Sequence, residues 1–271
     1  MFAMSHFLAF RGHDGFHRRQ FLYSAATVLL GSCSLVRADD FQAETPATRR
    51  GLKFLVELFD DQVDLLPEFQ GSTTYWLYHD NFLAARLLEK ERPELARKID
   101  QAIEKWGVKR SGKIEILFQN DATAPPFHHH ELLEVGRVGN RQIKTEQVTD
   151  RLNEGWGEYA DLRFLATISL ASRNLELAKL QFEAGMKMWD GKGFADKVQA
   201  LSGLYATYKL ALALLAAKRI GSMAKELEPI LARLQPLQNE HGGWITDYDA
   251  SLKPRGLSNV ETTCLALMAV A

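Results

Sequence analysis

Acidic side chains beside the openings of Ala/Leu-rich stretches are the first residues in this chain with the types and spacing to do chemistry. They are Glu158, Asp161, Asp190, Asp247, Asp249 and Glu261. Cleaving a glycosidic bond takes two carboxyl groups on opposite sides of the bond, one kept protonated and one ionised. Glu158, Asp161, Asp247 and Glu261 are therefore the candidate catalytic acids. The same segments carry Trp76, Trp156, Trp189, Trp244, Tyr78, Tyr159 and Tyr248, and flat aromatic faces are what sugar rings stack on. The candidate substrate-binding set is Trp76, Tyr78, His79, Asp80, Tyr159, Trp189, Asp190, Trp244 and Tyr248. A lyase would use the same region differently: Tyr78 or Tyr159 would transfer the proton next to a uronate carboxylate that His79 or His241 neutralises. A plainer role competes with both. Acids at helix starts offset the macrodipole, Ser258-Asn259-Val260-Glu261 is itself a capping box, and aromatic residues at such positions pack one hairpin on the next.

A second constellation is Phe127-His128-His129-His130-Glu131, which follows Pro125-Pro126. In an extended segment His128 and His130 point the same way, and Glu131 or Glu115 could add an oxygen ligand. Zinc sites want three or four ligands, and no fixed-spacing partner such as His-Glu-x-x-His is present. A surface histidine cluster without metal is the expectation, and a metal-binding protein is the alternative. No cofactor is expected: the chain has no phosphate-cradling Gly-rich loop and no Gly-x-Ser-x-Gly elbow, and Cys264 sits inside an apolar stretch.

The elements that must position these residues are mostly helices. Apolar residues recur at helical spacing over residues 50–66, 76–90, 93–106, 159–173, 176–189, 195–218, 222–237 (with Pro229 as a kink) and 260–271. Residues 113–148 differ. Lys113 to Phe118 alternates, and so do residues 134–138 and 142–146 around Gly139-Asn140, which predicts a small antiparallel β insertion with its turn at that pair. No Pro/Ser-rich linker divides the chain, so residues 39–271 are read as one domain.

Four segments share one plan, an aromatic and polar lead-in opening directly into an Ala/Leu-rich helix. They begin at Thr74, Trp156, Leu204 and Ser258. At least one further amphipathic helix lies between each pair, so the repeating unit is a helical hairpin. Small residues on one helix of each hairpin allow close approach to a common centre, with the polar starts gathered at one rim. The stretch Asn239-Glu240-His241-Gly242-Gly243-Trp244-Ile245-Thr246-Asp247-Tyr248, followed by Asn259-Val260-Glu261-Thr262-Thr263, resembles the Gly-Gly-Trp loop and Glu-Thr-Thr helix start of α/α-toroid proteins. Those include terpene-cyclase-like repeats and six-hairpin carbohydrate-active enzymes. Met188-Trp189-Asp190-Gly191-Lys192-Gly193-Phe194 resembles a looser copy of the loop. The resemblance implies a mainly α fold, an α/α toroid with its site at the mouth. The Asp-rich motif of squalene-type cyclases is absent, and a zinc-ligand set of the protein-prenyltransferase kind is not recognisable. About 230 residues after the leader allow only some nine helices, so the ring is expected to be incomplete, with an open side.

At the amino terminus, Arg18-Arg19-Gln20-Phe21-Leu22 leads into an uncharged stretch that ends at Val36. A basic pair, an apolar segment too short to span a bilayer and small residues before an acidic start are the parts of an export signal. The arginine pair resembles a twin-arginine signal. Two exits are read: cleavage after Ala38, which is favoured, or lipidation at Cys33 in Leu30-Gly31-Ser32-Cys33. The protein is thus expected to be exported, periplasmic or extracellular. Taking off residues 1–38 removes four arginines and one aspartate and leaves 29 basic and 33 acidic side chains, a net charge of −4. Cys264 is then the one remaining cysteine, so no internal disulfide can form.

The whole chain of 271 residues is 46% hydrophobic and 25% charged, which fits a folded protein and excludes disordered, collagen-like and multi-span membrane classes. Its 33 basic and 34 acidic residues nearly cancel without any Lys/Arg run, which argues against a nucleic-acid partner. A polysaccharide or oligosaccharide is the expected partner. Three functions stay open: a hydrolase or lyase at the toroid mouth, a non-catalytic toroid binding a glycan or protein, and a metal-binding protein using the histidines.

Overall fold

The protein is described from a computed structural model covering residues 45–106, 114–118, 125, 127–222 and 227–271. The segment read as an export signal, with Arg18, Arg19 and Cys33, lies outside the described residues.

The chain is mainly α with a smaller share of β structure. Helix α1 (Pro46–Leu58) begins at Thr45, whose hydroxyl caps the Thr48 N–H at 3.1 Å, with proline in the first turn. Strand β1 (Thr74–Trp76) runs into a six-residue π-helix (Leu77–Phe82) and then α2 (Leu83–Leu88). Asn81 explains this wide entry. Its buried side-chain amide donates to the carbonyls of Leu66 and Trp76 and accepts from the Leu66 N–H, standing in for backbone partners that a regular helix start leaves unmade. After α3 (Pro93–Lys105) come a short 3-10 turn (Ile114–Leu117), the hairpin β2 (His128–Val138) and β3 (Arg141–Leu152), and a second 3-10 turn (Trp156–Glu158). The remaining elements are α4 (Ala160–Leu170), α5 (Leu175–Met186), α6 (Lys197–Ser202), β4 (Tyr205–Ala206), α7 (Thr207–Arg219), α8 (Glu228–Leu234), β5 (Ile245–Tyr248), β6 (Pro254–Ser258) and α9 (Val260–Val270).

The helices fall into two layers by burial. Helices α2, α4, α7 and α9 are buried on nearly every side, whereas α1, α3, α5 and α8 bury one face. The inner four pack in the order α2, α9, α7, α4. Behind them lie α3 on α2, α1 on α9, α8 on α7 and α5 on α4. Ala84, Ala85, Ala166, Ala211, Ala213, Ala216 and Ala266 have no exposed surface, and these small side chains are what let the inner axes approach. Among the described residues no helix is long and apolar enough to cross a membrane.

Two three-stranded sheets sit beside the helix starts. The first has the order β1-β3-β2, with β1 parallel to β3 and β2 antiparallel to it, and the turn at Gly139-Asn140 has Gly139 at φ +61. The second, β4-β5-β6, is antiparallel throughout.

Several sequence expectations change. The insertion hairpin forms where the alternation predicted it but is longer, and it recruits β1. Residues 114–117 are a 3-10 turn with all four side chains buried, because that segment packs against α4 rather than pairing with a strand. Residues 195–218 are not one helix: Gly203, left-handed at φ +73, ends α6, and β4 intervenes before α7. Pro229 does not kink a long helix but stands in the first turn of α8. Residues 76–88 begin as strand and π-helix rather than α-helix.

Candidate functional site

The four lead-in segments converge. At one end of the inner layer Glu261, in the first turn of α9, acts electrostatically on both Asp80 in the π-helix and Tyr208 at the start of α7, and Asp161, in the first turn of α4, acts on Tyr208. Glu68 joins them because the chain before β1 is tied to both neighbours: its N–H donates to Thr74 O at 2.8 Å, and its carbonyl accepts from Val260 N at 3.0 Å.

Asp80 is the most unusual group in the cluster. It is 1% exposed, one oxygen accepts from the Glu261 backbone N–H, and Oδ2 is buried with no hydrogen-bond partner. Burial first, then the charges of Glu68 and Glu261, raise its carboxyl well above the ordinary aspartate range. Burial also raises Glu68, although the Trp76 indole N–H and Lys144 act against it. The Tyr208 hydroxyl donates to Asp161 Oδ2 at 3.2 Å, and burial together with Asp161, Asp196 and Glu261 pushes its phenol well up. Lys209, also 1% exposed, places Nζ 2.5 Å from Asp196 Oδ2. Asp196 additionally caps α4 through the Ala160 N–H and α6 through the Val198 N–H. Asp247 on β5 faces Lys209, and burial raises its carboxyl.

The candidate residues named from the sequence divide cleanly. Asp80, Asp161, Asp247 and Glu261 come together, with Trp76 beside Glu68. Tyr78 is buried in the π-helix and packs on Phe82. Tyr159 is buried one residue ahead of α4, with the Lys197 ammonium 5.7 Å above its ring. Glu158 stands apart at the surface, paired with Lys197. Asp190 is a surface turn cap, accepting from the N–H groups of Lys192 and Gly193 and from the Tyr205 hydroxyl. Trp189 packs on Phe194, with ring centroids 5.4 Å apart.

Trp244 and Tyr248 require correction. Expected at the mouth, Trp244 is 1% exposed with its indole N–H donating to Leu234 O at 3.0 Å. Tyr248 is fully enclosed, stacked on Tyr205 and donating to Lys192 O at 2.8 Å. Neither ring offers a face to a sugar. Gly242, at φ +94, explains the enclosure: its α-carbon lies so close to α1 that an added Cβ would fall 2.2 Å from the Arg50 carbonyl oxygen. The loop is therefore pressed inward.

The histidines also behave differently from the expectation for a regular strand. A register shift separates His128 from His130; His128 Nδ1 lies 2.9 Å from Thr149 O, whereas His130 Nδ1 lies 2.9 Å from Glu146 Oε2. The second Glu146 oxygen is 3.3 Å from His79 Nδ1. One buried carboxylate thus joins the hairpin to the π-helix that holds Asp80. Among the described residues, no group of three His, Cys, Asp or Glu side chains could hold a metal ion.

Sequence reasoning missed Glu68, Asp196, Lys209 and Glu146. Lys209 carried a readable signal, a lone charge in the Ala/Leu-rich run after Tyr208. Glu68 and Asp196 lie in loops and reach the site only through the tertiary fold.

Compared with known protein families, curated proteins and solved structures, the chain matches none.

Proposed function

We propose that the protein is an exported carbohydrate-active enzyme, an incomplete α/α toroid that hydrolyses glycosidic bonds at the converging helix starts. The four inner helices, each backed by an outer one, support the toroid reading, and the Arg18-Arg19 leader supports export. The observation that carries the chemistry is Asp80, a carboxyl 1% exposed whose hold on its proton is strengthened by burial and by the carboxyl groups of Glu68 and Glu261. That division is what glycosidases use: the protonated member gives its proton to the leaving oxygen, while an ionised partner acts on the sugar or on water. Asp80 takes the acid role and Glu261, with part of its surface in solvent, takes the partner role. Asp161, oriented by the Tyr208 hydroxyl, supports the site from the other side. A hydrolase is favoured over a lyase because burial raises the Tyr159 phenol, the wrong direction for a tyrosine that abstracts a proton.

The test is turnover of a panel of neutral and uronate-containing polysaccharides by the parent and by Asp80→Asn. The reading expects Asp80→Asn to lose turnover while remaining folded. Full activity in that variant removes Asp80 from the mechanism, and a parent that cleaves no panel member removes the enzyme reading.

A further inference from the structure

Next to Asp80 in the π-helix stands Asn81, whose side chain is fully enclosed and has both of its donors in use. The amide donates to the carbonyls of Leu66 at 3.0 Å and Trp76 at 2.8 Å, and Oδ1 accepts from the Leu66 N–H at 2.7 Å. These are the two places from which Glu68 is held. Leu66 lies two residues ahead of Glu68 on the same stretch of chain, and the Trp76 indole N–H donates to the Glu68 carboxyl. The Glu68 carbonyl accepts from Val260 N at 3.0 Å, and Asp80 accepts from the Glu261 backbone N–H. The segment around Glu68, the π-helix and the first turn of α9 are thus tied in a triangle, and Asn81 makes the side that joins Asp80 to Glu68.

The wide turn gives this side its geometry. An α-helical start would bring the Asp80 N–H to the Trp76 carbonyl; here the amide of Asn81, five residues on, holds that carbonyl. Single π-helical turns of this kind are rare and concentrate at functional sites. Asparagine is the side chain that fits: aspartate of the same size lacks the donors, and leucine lacks donors and acceptor alike. The charged groups that act on Asp80 are Glu68, from the segment before β1, and Glu261, from α9; Asp80 acts in turn on the Cys264 thiol of α9.

We propose that Asn81 is the positioning residue of the acid Asp80, setting how closely the Asp80 and Glu68 carboxyls face each other. The proposal rests on the reading of Asp80 as the acid of the site. It adds to that reading a side chain that touches no substrate.

Thermal melting of the parent, Asp80→Asn, Asn81→Ala and the double variant at about pH 4 and about pH 8 tests it without any substrate. The Tm advantage of Asp80→Asn over the parent should grow between those two conditions. In the Asn81→Ala background that growth should fall to less than about half, because Asp80 is then free to turn away from Glu68. Ile230→Ala, a core truncation in the outer helix α8, should lower Tm and keep the full growth. Equal growth with and without Asn81, however far Tm falls, makes Asn81 a packing residue and overturns the proposal. If Asn81→Ala does not fold, Glu68→Gln decides: the growth should fall to about half, and an unchanged growth overturns the proposal. No growth in the parent background overturns it together with the acid reading of Asp80. Where the parent cleaves a polysaccharide, Asn81→Ala should lower kcat about ten-fold or more at an unchanged KM and move the basic limb of the pH–rate profile about one unit lower. An unmoved limb overturns the proposal and leaves the hydrolase in place. A parent that cleaves nothing but melts as expected removes the hydrolase reading and upholds the hold of Asn81 on Asp80.

Discussion

Replacing Trp244 by alanine separates a packing residue from a sugar platform. The indole is 1% exposed, its N–H reaches the Leu234 carbonyl at 3.0 Å, and it reaches to within 3.0 Å of where a Cβ on Gly51 of α1 would stand. Truncating a buried aromatic ring costs about 3–5 kcal/mol, and stranding the Leu234 carbonyl adds about 1 kcal/mol. The sum, about 4–6 kcal/mol, is a large part of the stability of a typical domain. For a domain of this size it lowers Tm by roughly 8–24 °C. Urea unfolding should show a lower midpoint at an unchanged slope. Trp244→Phe keeps most of the contact and loses the hydrogen bond, so its loss should be about 1–2 kcal/mol. If Trp244→Ala unfolds with the parent and its deficit appears only as weaker glycan binding, the enclosure argued above is wrong.

Three further outcomes follow from other parts of the molecule. A carboxyl raised in the folded state holds its proton more tightly there, so Asp80 costs stability progressively as pH climbs above its ordinary value of 3.8. Asp80→Asn should therefore be more stable than the parent at about pH 8, with the difference vanishing towards about pH 4; a difference independent of pH rejects the assignment. Gly242→Ala puts a methyl group into the Arg50 carbonyl at a left-handed φ and should cost about 3 kcal/mol or more, read by thermal melting, with an unchanged Tm counting against the close approach. Changing Arg18 and Arg19 together to lysine should leave full-length precursor in the cytoplasm by fractionation, and normal export of that variant would point to the general secretory route.

The inner helices were legible because each is Ala/Leu-rich and preceded by an aromatic, polar lead-in, a pattern local to a dozen residues. Their boundaries were not: residues 195–218 read as one helix, although Gly203 ends the exposed α6 and β4 intervenes before the buried α7. Strands β4, β5 and β6 have two to five residues each, too few for alternation to emerge. At the site, Asp161, Asp247 and Glu261 were readable as acids of the lead-in segments and of the loop before α9. The difference between Asp80 and Glu158 was invisible in the sequence, since both precede a helix and only the fold buries one and leaves the other beside Lys197. Trp244 was misjudged for a similar reason: a Gly pair in a loop reads as exposure, but here it lets the backbone press against α1.

The order of the inner layer has a consequence for how the molecule comes into being. Helix α9 follows every other described helix in the chain, yet it packs between α2 and α7 and against α1. During synthesis α1 and α2 emerge about two hundred residues before the helix that covers them. Leu83, Ala84 and Leu88, fully buried in the finished protein, must wait through that interval without their final neighbours. Nascent chains gain native structure from the amino-terminal end when contacts are local, but pairings this distant come late and leave apolar surface open to aggregation. This protein can close its core only after α9 has left the ribosome, which makes a chaperone that holds the unfinished chain a natural companion of its architecture.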